Sequence, residues 1–476
     1  MEAKFSSLFI NGKFYEGQAN ERLAVLDKYS GQKIAELSQA SDADIEWAIN
    51  STCQGFEVWS RSAAGDRAEM LEKLAHKLEQ RAEEFAQLIC AEAGKPIALA
   101  RIEVHRGISV LRLSAVEALR LKGDVWAMDW GKGIGKQAMT RRFAKGAVLA
   151  FSPFNFPLNL ALHKIAPALA SGCSILLKLP PQTPLTMLLF CTLIQECELP
   201  AGVVNCIACT NDLALKLVCD PRFSVFSFTG SDAVGWYLKE KAGKKSVVLE
   251  LGGNAAVIID KSANLMEAAK QISRSAFNYS GQVCISTQRI LVHDAILAEF
   301  KKHLISETQM LQSGSPLRED VINGPLISNG AARHLTDLMN QARLQGAKLI
   351  LGGTYFDEHR AILSPTIFED VSDTCGIWAD EVFGPVVSIQ SFSDLQDALI
   401  SANNSRYGLQ AGLFSNDFNS IQAAVSSLRA GTVLINEAPG FRMDHLPYGG
   451  LKDSGMGKEG VCSAMVEMTE ERVIIW

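Results

Sequence analysis

The chain has 476 residues, 47% of them apolar and 21% charged, with a net charge of −6. That length exceeds one ordinary core and calls for two or three domains of a globular protein. Basic and acidic residues are interspersed, so no basic block marks nucleic acid or anionic lipid as a partner. The opening MEAKFSSLFINGKF lacks a long apolar core after a basic region, and the apolar stretch 146–177 is cut by prolines and Lys164. Neither a secretory signal nor a membrane span is expected, and the chain reads as cytoplasmic.

In chain order, the first part reads as mostly helical. Ser41 with Asp44 forms a capping box before Ile45, Ala48 and Ile49. Leu71, Leu74 and Leu78 continue at helical spacing until Ala93-Gly94-Lys95-Pro96, and a further helix runs from Leu99 to Leu121. Residues 124–144 mix tryptophans and glycines with polar residues and read as a hairpin-like excursion. From Gly146 the pattern alternates: GAVLAFSP, CSILLKLP, VVNCIAC, FSVFSFTG and SVVLELGG are strand-length runs with helical segments between them. A second series follows at 255–259, 288–292, 349–351, 386–391 and 412–414. Such alternation predicts two α/β halves with parallel-type sheets covered on both faces. The tail EERVIIW is a β-prone edge with no helix left to cover it, open to pairing with another subunit.

The cysteines, 11 in all, lack framework spacing and read as reduced. The pair Cys206-x-x-Cys209 reads as a buried strand entering a turn, since zinc would want a second pair. The histidines show no ligand spacing, and no metal site is expected. FTGSDAVG sets Gly230 and Gly235 between a strand and a helix, where backbone amides and the Ser231 hydroxyl can hold a phosphate oxygen. It differs from the G-x-G-x-x-G fingerprint, so spacing alone leaves an ordinary tight turn open.

PFNFP (153–157), FTGSDAVG, LELGG (249–253), GQVC (281–284) and EVFGPV (381–386) occur in the order and spacing of the aldehyde dehydrogenase superfamily, which the chain resembles over essentially its whole length. The ending FRMDHLPYGGLKDSGMGKEG is similar to the branch acting on lactaldehyde, glyceraldehyde 3-phosphate without phosphorylation, and phosphonoacetaldehyde. The resemblance implies an aldehyde dehydrogenase-like fold. Residues 1–123 and 142–250 would form the NAD(P)-binding domain and 251–455 the catalytic domain. Residues 124–141 and 456–476 would form a small β bridging element that pairs subunits into a homodimer or homotetramer.

The resemblance also implies roles for named residues. Cys284 would attack the aldehyde carbon as thiolate. The Asn155 amide, with the backbone N–H of Cys284, would hold the oxyanion, a donor typically worth roughly 3 kcal/mol. Glu250 would activate the water that hydrolyses the thioester. Lys178 matches the lysine on the adenosine ribose, and Glu381 and Phe383 match the residues holding the nicotinamide ribose and ring. Ser152, Pro153, Phe154, Gly230, Ser231, Gly235, Leu251 and Gly252 complete the cofactor site. Many NAD-preferring relatives carry glutamate where this chain has Pro181. Losing that anion removes repulsion against a 2′-phosphate, so NADP is expected to be accepted beside NAD. A proline that merely shapes the loop is the simpler alternative.

Substrate choice is thinly written. Relatives acting on phosphorylated or phosphonate aldehydes carry arginine before the nucleophile, where this chain has Val283. Those acting on phosphonoacetaldehyde carry histidine where it has Phe156. Arg106 and Arg442 remain as branch positions, each as suited to a structural ion pair as to a substrate. Together they point to a small hydroxylated or anionic aldehyde, such as lactaldehyde or a short semialdehyde. Glu250 disfavours a CoA-acylating relative, which commonly lacks it. A non-enzymatic structural protein would have no need of Cys284, Asn155 and Glu250 together.

Overall fold

Strand-length apolar runs build two sheets, and the chain passes from one to the other in four residues. A computed structural model describes residues 7–476. The first sheet runs in the order Lys13–Tyr15, Leu8–Ile10, Val204–Ile207, Ile175–Lys178, Ala147–Phe151, Phe223–Thr229, Ser246–Glu250, Gly455–Met456. Its five central strands are parallel, and the outer ones pair antiparallel. The chain starts this core at Ala147–Phe151, steps twice to one side, then returns to build the other. Such a reversal leaves a crevice at the carboxyl ends of the strands, where open α/β sheets bind ligands.

The second sheet runs Lys348–Leu351, Thr366–Glu369, Val386–Phe392, Thr287–His293, Ala255–Ile259, Gln410–Phe414, Thr432–Ile435. It is parallel except at its first strand. Both sheets are buried by helices, as their continuous apolar runs require. A third sheet joins Val125–Trp126, Ala138–Ala144 and Thr469–Ile475. The terminal strand thus pairs within the chain, register Thr469↔Ala144 to Ile475↔Ala138, and keeps its other edge open. Val473, Ile475 and Trp476 on it are exposed.

The capping box forms as read: Asp44 N donates to Ser41 Oγ at 3.2 Å and Ser41 N to Asp44 Oδ2 at 2.8 Å, opening helix Asp42–Trp59. Elsewhere the structure differs. Periodicity gives a mostly helical first part, whereas the chain opens with four strands, at Leu8–Ile10, Lys13–Tyr15, Arg22–Leu26 and Lys33–Ser38. The first two, of three residues each, are too short to display an alternation and are decided by pairing with each other and by that of Leu8–Ile10 with Val204–Ile207, whereas Arg22–Leu26 and Lys33–Ser38 pair with each other as a separate hairpin. The single run through Leu78 to Ala93 is two helices, Ala64–Gln80 and Ala82–Ala93. The break at Arg81 lets Phe85 and Ile89 enter the same core as Leu74 and Leu78. The next helix spans Ile97–Ala118, beginning directly after Pro96. Cys206 lies in a buried strand and Cys209 just beyond it, and all the cysteines are free.

One buried ion pair ties the helical layer to the loop after Phe151. Glu103 Oε1 accepts the N–H groups of Leu158 and Asn159 at 3.0 and 3.2 Å, where helix Asn159–Ser171 begins. Its other oxygen pairs with Lys95, whose ammonium burial lowers to about 8. Both residues are buried. Glu103→Ala strands a buried cation and two helix-start amides, so a loss of roughly 3–5 kcal/mol is expected. Denaturant unfolding of the variant against wild type checks this.

Candidate active site

The segment carrying Cys284 is set by an unusual turn. Helix Leu265–Phe277 ends at Asn278, and Tyr279, Ser280 and Gly281 all take left-handed backbone angles (φ 51°, 56° and 69°). Only the glycine does so freely, and the other two cost roughly 1–3 kcal/mol each. Side-chain bonds offset that strain. Tyr279 Oη donates to the Ala93 carbonyl at 2.9 Å, and Ser280 Oγ to that of Gly324 at 2.8 Å. The Gln282 side chain accepts from Ile327 N at 2.9 Å. The chain then delivers Cys284 to the crevice and continues as Thr287–His293.

Across from it runs the four-residue link between the sheets, Leu251 to Asn254. A Cβ on Gly253 would lie 2.2 Å from the Cys284 carbonyl oxygen, so only glycine lets these strands pass. Gly253 N donates to Glu381 Oε1 at 2.8 Å. Asn155 Nδ2 donates to the Gln282 carbonyl at 2.9 Å, spending one of its two N–H groups beside the nucleophile segment.

A cleft of about 410 Å³ opens at the topological switch point. It is lined by Ser152, Pro153, Phe154, Asn155, Lys178, Pro181, Gly230, Ser231, Leu251, Gly252, Cys284, Glu381 and Phe383. Of the residues expected to hold a cofactor, Gly235 alone is set back, packed behind Leu251. The cleft suits a dinucleotide. Ser152 Oγ and Thr229 Oγ1 are buried without partners. The helix Asp232–Lys241 starts with no side-chain cap, leaving its amides free for phosphate oxygens. Asp232 in that turn is neutralised by Arg406 and accepts from Tyr407 Oη at 3.2 Å. Burial lowers the Lys178 ammonium, and among the described residues no carboxylate lies within ion-pair distance of it. The rings of Phe154 and Phe383 meet edge-on at 5.9 Å.

A second cavity of about 360 Å³ lies on the other side of the nucleophile segment, lined by Val283, Phe156, Arg106, Arg274 and Phe441 among others. Arg106 donates through Nε and one terminal nitrogen to Asp444 at 2.9 and 2.6 Å, leaving its other terminal nitrogen unbonded. Arg274, exposed on this cavity, has no acidic partner among the described residues. Arg442 lines neither cavity. It is buried, with its guanidinium 3.7 Å from the centre of the Tyr448 ring.

Behind both cavities lies a cluster of buried charge. His163 Nε2 bonds Asp444 at 2.9 Å. Lys164 Nζ donates to Glu459 at 2.7 Å and to Ser227 at 2.8 Å. Arg442 stands 3.9 Å from Asp444 and 4.0 Å from Glu459. Burial opposes ionisation of Asp444, but His163 and Arg106 hold its carboxyl well below the usual range. Burial also opposes ionisation of Glu459, which Lys164 holds low. Burial and then Arg442 lower His163, keeping it neutral. Glu250 is the exception: both its oxygens lack partners, and burial with nearby Glu459 pushes its carboxyl well above the usual range.

Cys284 Sγ lies 3.3 Å from Tyr448 Oη. Burial pushes its thiol up to about 11, while Tyr448 and Arg442 pull the other way. Burial likewise raises Glu381 to about 7. Sequence reading passes over Tyr448, Asp444, His163, Lys164 and Glu459. The available signal was a histidine and a lysine inside NLALHKIAPALAS, a helix buried along its whole length.

The sequence profile of the aldehyde dehydrogenase family matches residues 14–474. The chain belongs to the aldehyde dehydrogenase family. It is 39% identical to the 3-sulfolactaldehyde dehydrogenase of Priestia aryabhattai over 476 residues, covering 100% of this chain and 98% of that one. Aldehyde dehydrogenase 21 of Physcomitrella patens, solved with the reaction product succinate, superposes with a TM-score of 0.95 at 37% identity. It covers 99% of this chain and 98% of its own. The NADP-dependent glyceraldehyde-3-phosphate dehydrogenase of Bacillus halodurans, solved with NADP, gives 0.96 at 32%, covering 100% and 99%. The protein is therefore an enzyme that oxidises aldehydes with NAD or NADP. Among the described residues no helix is long and apolar enough to cross a membrane.

A thiol raised by burial predicts a distinctive pH dependence. Alkylation of Cys284 in the cofactor-free enzyme is expected to climb roughly tenfold per pH unit and to keep climbing past pH 9. An ordinary thiol levels off near pH 8.5–9. Peptide mass spectrometry after timed iodoacetamide treatment reads the rate.

Proposed function

We propose that the enzyme oxidises a short hydroxylated or anionic aldehyde to its acid through a thioester on Cys284. The observation that carries this reading is the placement of residues 283 and 284. Cys284 faces the nucleotide cleft, Val283 faces the second cavity, and an unpartnered Glu250 ends the strand beside them. The aldehyde enters from the second cavity and its carbon meets the sulfur. The free N–H of Asn155 and the backbone N–H of Cys284 hold the oxygen as charge develops on it. NAD(P), held at the switch point, supplies the hydride acceptor. Glu250, kept basic by burial and by Glu459, then takes a proton from water attacking the thioester. Cys284→Ala is expected to abolish oxidation while cofactor still binds, and residual turnover near wild type would overturn the assignment. Assays with and without CoA separate hydrolysis from transfer to a thiol, with acid as the product expected in both.

Lys178 and Pro181 support acceptance of NADP. An ammonium with no carboxylate partner faces the cleft, and the position of a ribose-binding glutamate is uncharged. Pro181→Glu adds an anion beside the 2′-phosphate position. It is expected to lower kcat/KM for NADP at least tenfold while NAD is spared, as steady-state kinetics with both cofactors would register.

The relatives' names, 3-sulfolactaldehyde dehydrogenase among them, and the succinate-bound neighbour support a substrate with a polar or anionic far end. Arg106 offers its unbonded nitrogen there, and Arg274 adds positive charge on the same cavity. Val283 and Phe156 supply no charge, which disfavours a phosphoryl dianion. Assembly as a homodimer or homotetramer would cover the exposed edge Thr469–Ile475.

A further inference from the structure

We propose that the Tyr448 hydroxyl is a catalytic hydrogen-bond donor to the Cys284 sulfur, stabilising the thiolate that attacks the aldehyde. The inference rests on the reading of Cys284 as nucleophile given above. Tyr448 is 5% exposed, and its backbone is locked to Glu459 by paired bonds of 2.9 and 2.7 Å. Its ring is thereby fixed with Oη 3.3 Å from Sγ. Among the described residues the hydroxyl has no other hydrogen-bond partner.

Two physical arguments fix the direction of the bond. If the S–H donated instead, the Tyr448 O–H would be buried with no acceptor, a costly arrangement that native structures avoid. In addition, the Arg442 guanidinium lies 3.7 Å from the ring centre, drawing electron density from the phenol. That makes Tyr448 a stronger donor and a poorer acceptor. Asp444 and Glu459 flank Arg442 and keep it charged. A phenylalanine would fill the same space and lack the hydroxyl aimed at the sulfur.

The other charged groups facing the sulfur are Glu250, Glu381 and Arg442. Both carboxylates oppose thiolate formation, so the tyrosine and the arginine are what offset them. In the step itself the thiol proton passes through water to Glu250, which releases it to solvent before hydrolysis, and the sulfur pair bonds the aldehyde carbon. The carbonyl π pair moves to the oxygen held by Asn155. The Tyr448 proton remains on its own oxygen throughout, so the residue shapes the charge without exchanging it.

The test is the rate of Cys284 alkylation by iodoacetamide across pH in the full-length cofactor-free enzyme. In Tyr448→Phe the rising limb is expected to move about one pH unit toward alkali, making the rate roughly three- to tenfold slower at any one pH. An unmoved limb, or one moved toward acid, overturns the proposal. Site-specific replacement of Tyr448 by 3-fluorotyrosine keeps the hydroxyl and sharpens its acidity. It is expected to move the limb toward acid, and no movement counts against the donor. Failure of the earlier reading would look different, since Cys284→Ala would then keep its turnover whatever Tyr448 does.

Discussion

Charge buried behind Cys284 governs the candidate active site. Removing a carboxylate or ammonium from water costs several kcal/mol per ion even after relaxation, so a buried charge persists only with close partners. Asp444 has Arg106 and His163, and Glu459 has Lys164. Arg442 sits between the two acids and satisfies neither fully. Glu250 is left with no hydrogen-bond donor at all. That asymmetry has a chemical consequence. A carboxyl pushed upward by burial takes a proton more readily than a solvated one, and with empty lone pairs it has room for water. The paired acids in the same cluster make poorer bases, because His163 and Arg106 stabilise the ionised form of Asp444 and Lys164 that of Glu459.

The backbone makes this arrangement rigid. Four residues join the last parallel strand of one sheet to the first of the other, and each end meets the chemistry. Glu250 closes the first sheet's strand, while Gly253 touches the Cys284 carbonyl and binds Glu381. Relative movement of the sheets would therefore disturb Glu250, Cys284 and Glu381 together. The left-handed turn at 279–281 completes the constraint from the other side, its strain balanced by bonds to Ala93 and Gly324. Those anchors belong to the helical layer and to the loop before residue 327, so three parts of the molecule hold one sulfur in place.

How much of this was legible in the sequence follows from the range of each signal. The capping box at Ser41, the parallel strands from Ala147 to Glu250 and the turn at Gly230 are local patterns and appear as read, whereas the strand at 349–351 pairs antiparallel. The cleft gathers Ser152, Lys178, Ser231, Glu381 and Cys284 from motifs whose spacing is characteristic of the family. The charge cluster is different. Its bonds join residues 281 and 295 positions apart, and no local pattern announces such a pairing. The first two opening strands escaped for the opposite reason, being three residues each and too short to show any period. Arg442 marks the boundary between the two cases: its motif offered it as a substrate contact or a structural ion pair, and its place under Tyr448, outside both cavities, depends on the folded chain.

The second cavity shows how neutralised charge can still select. Arg106 and Asp444 form a closed pair, and so do Lys95 and Glu103, which leaves exposed Arg274 as the uncompensated cation on this cavity among the described residues. What Arg106 does offer is a directed N–H on its unbonded nitrogen, which a single oxygen from a hydroxyl, carboxylate or sulfonate can accept. A dianion would bring two charges to a pair already balanced by Asp444, and would have to desolvate against Phe156 and Val283 with little in return. Placing a directed donor beside a single unpaired cation favours substrates that are polar or singly charged over doubly ionised ones. It also leaves the positive charge of Arg442 directed at Tyr448 and the sulfur, so that binding and activation draw on separate guanidinium groups.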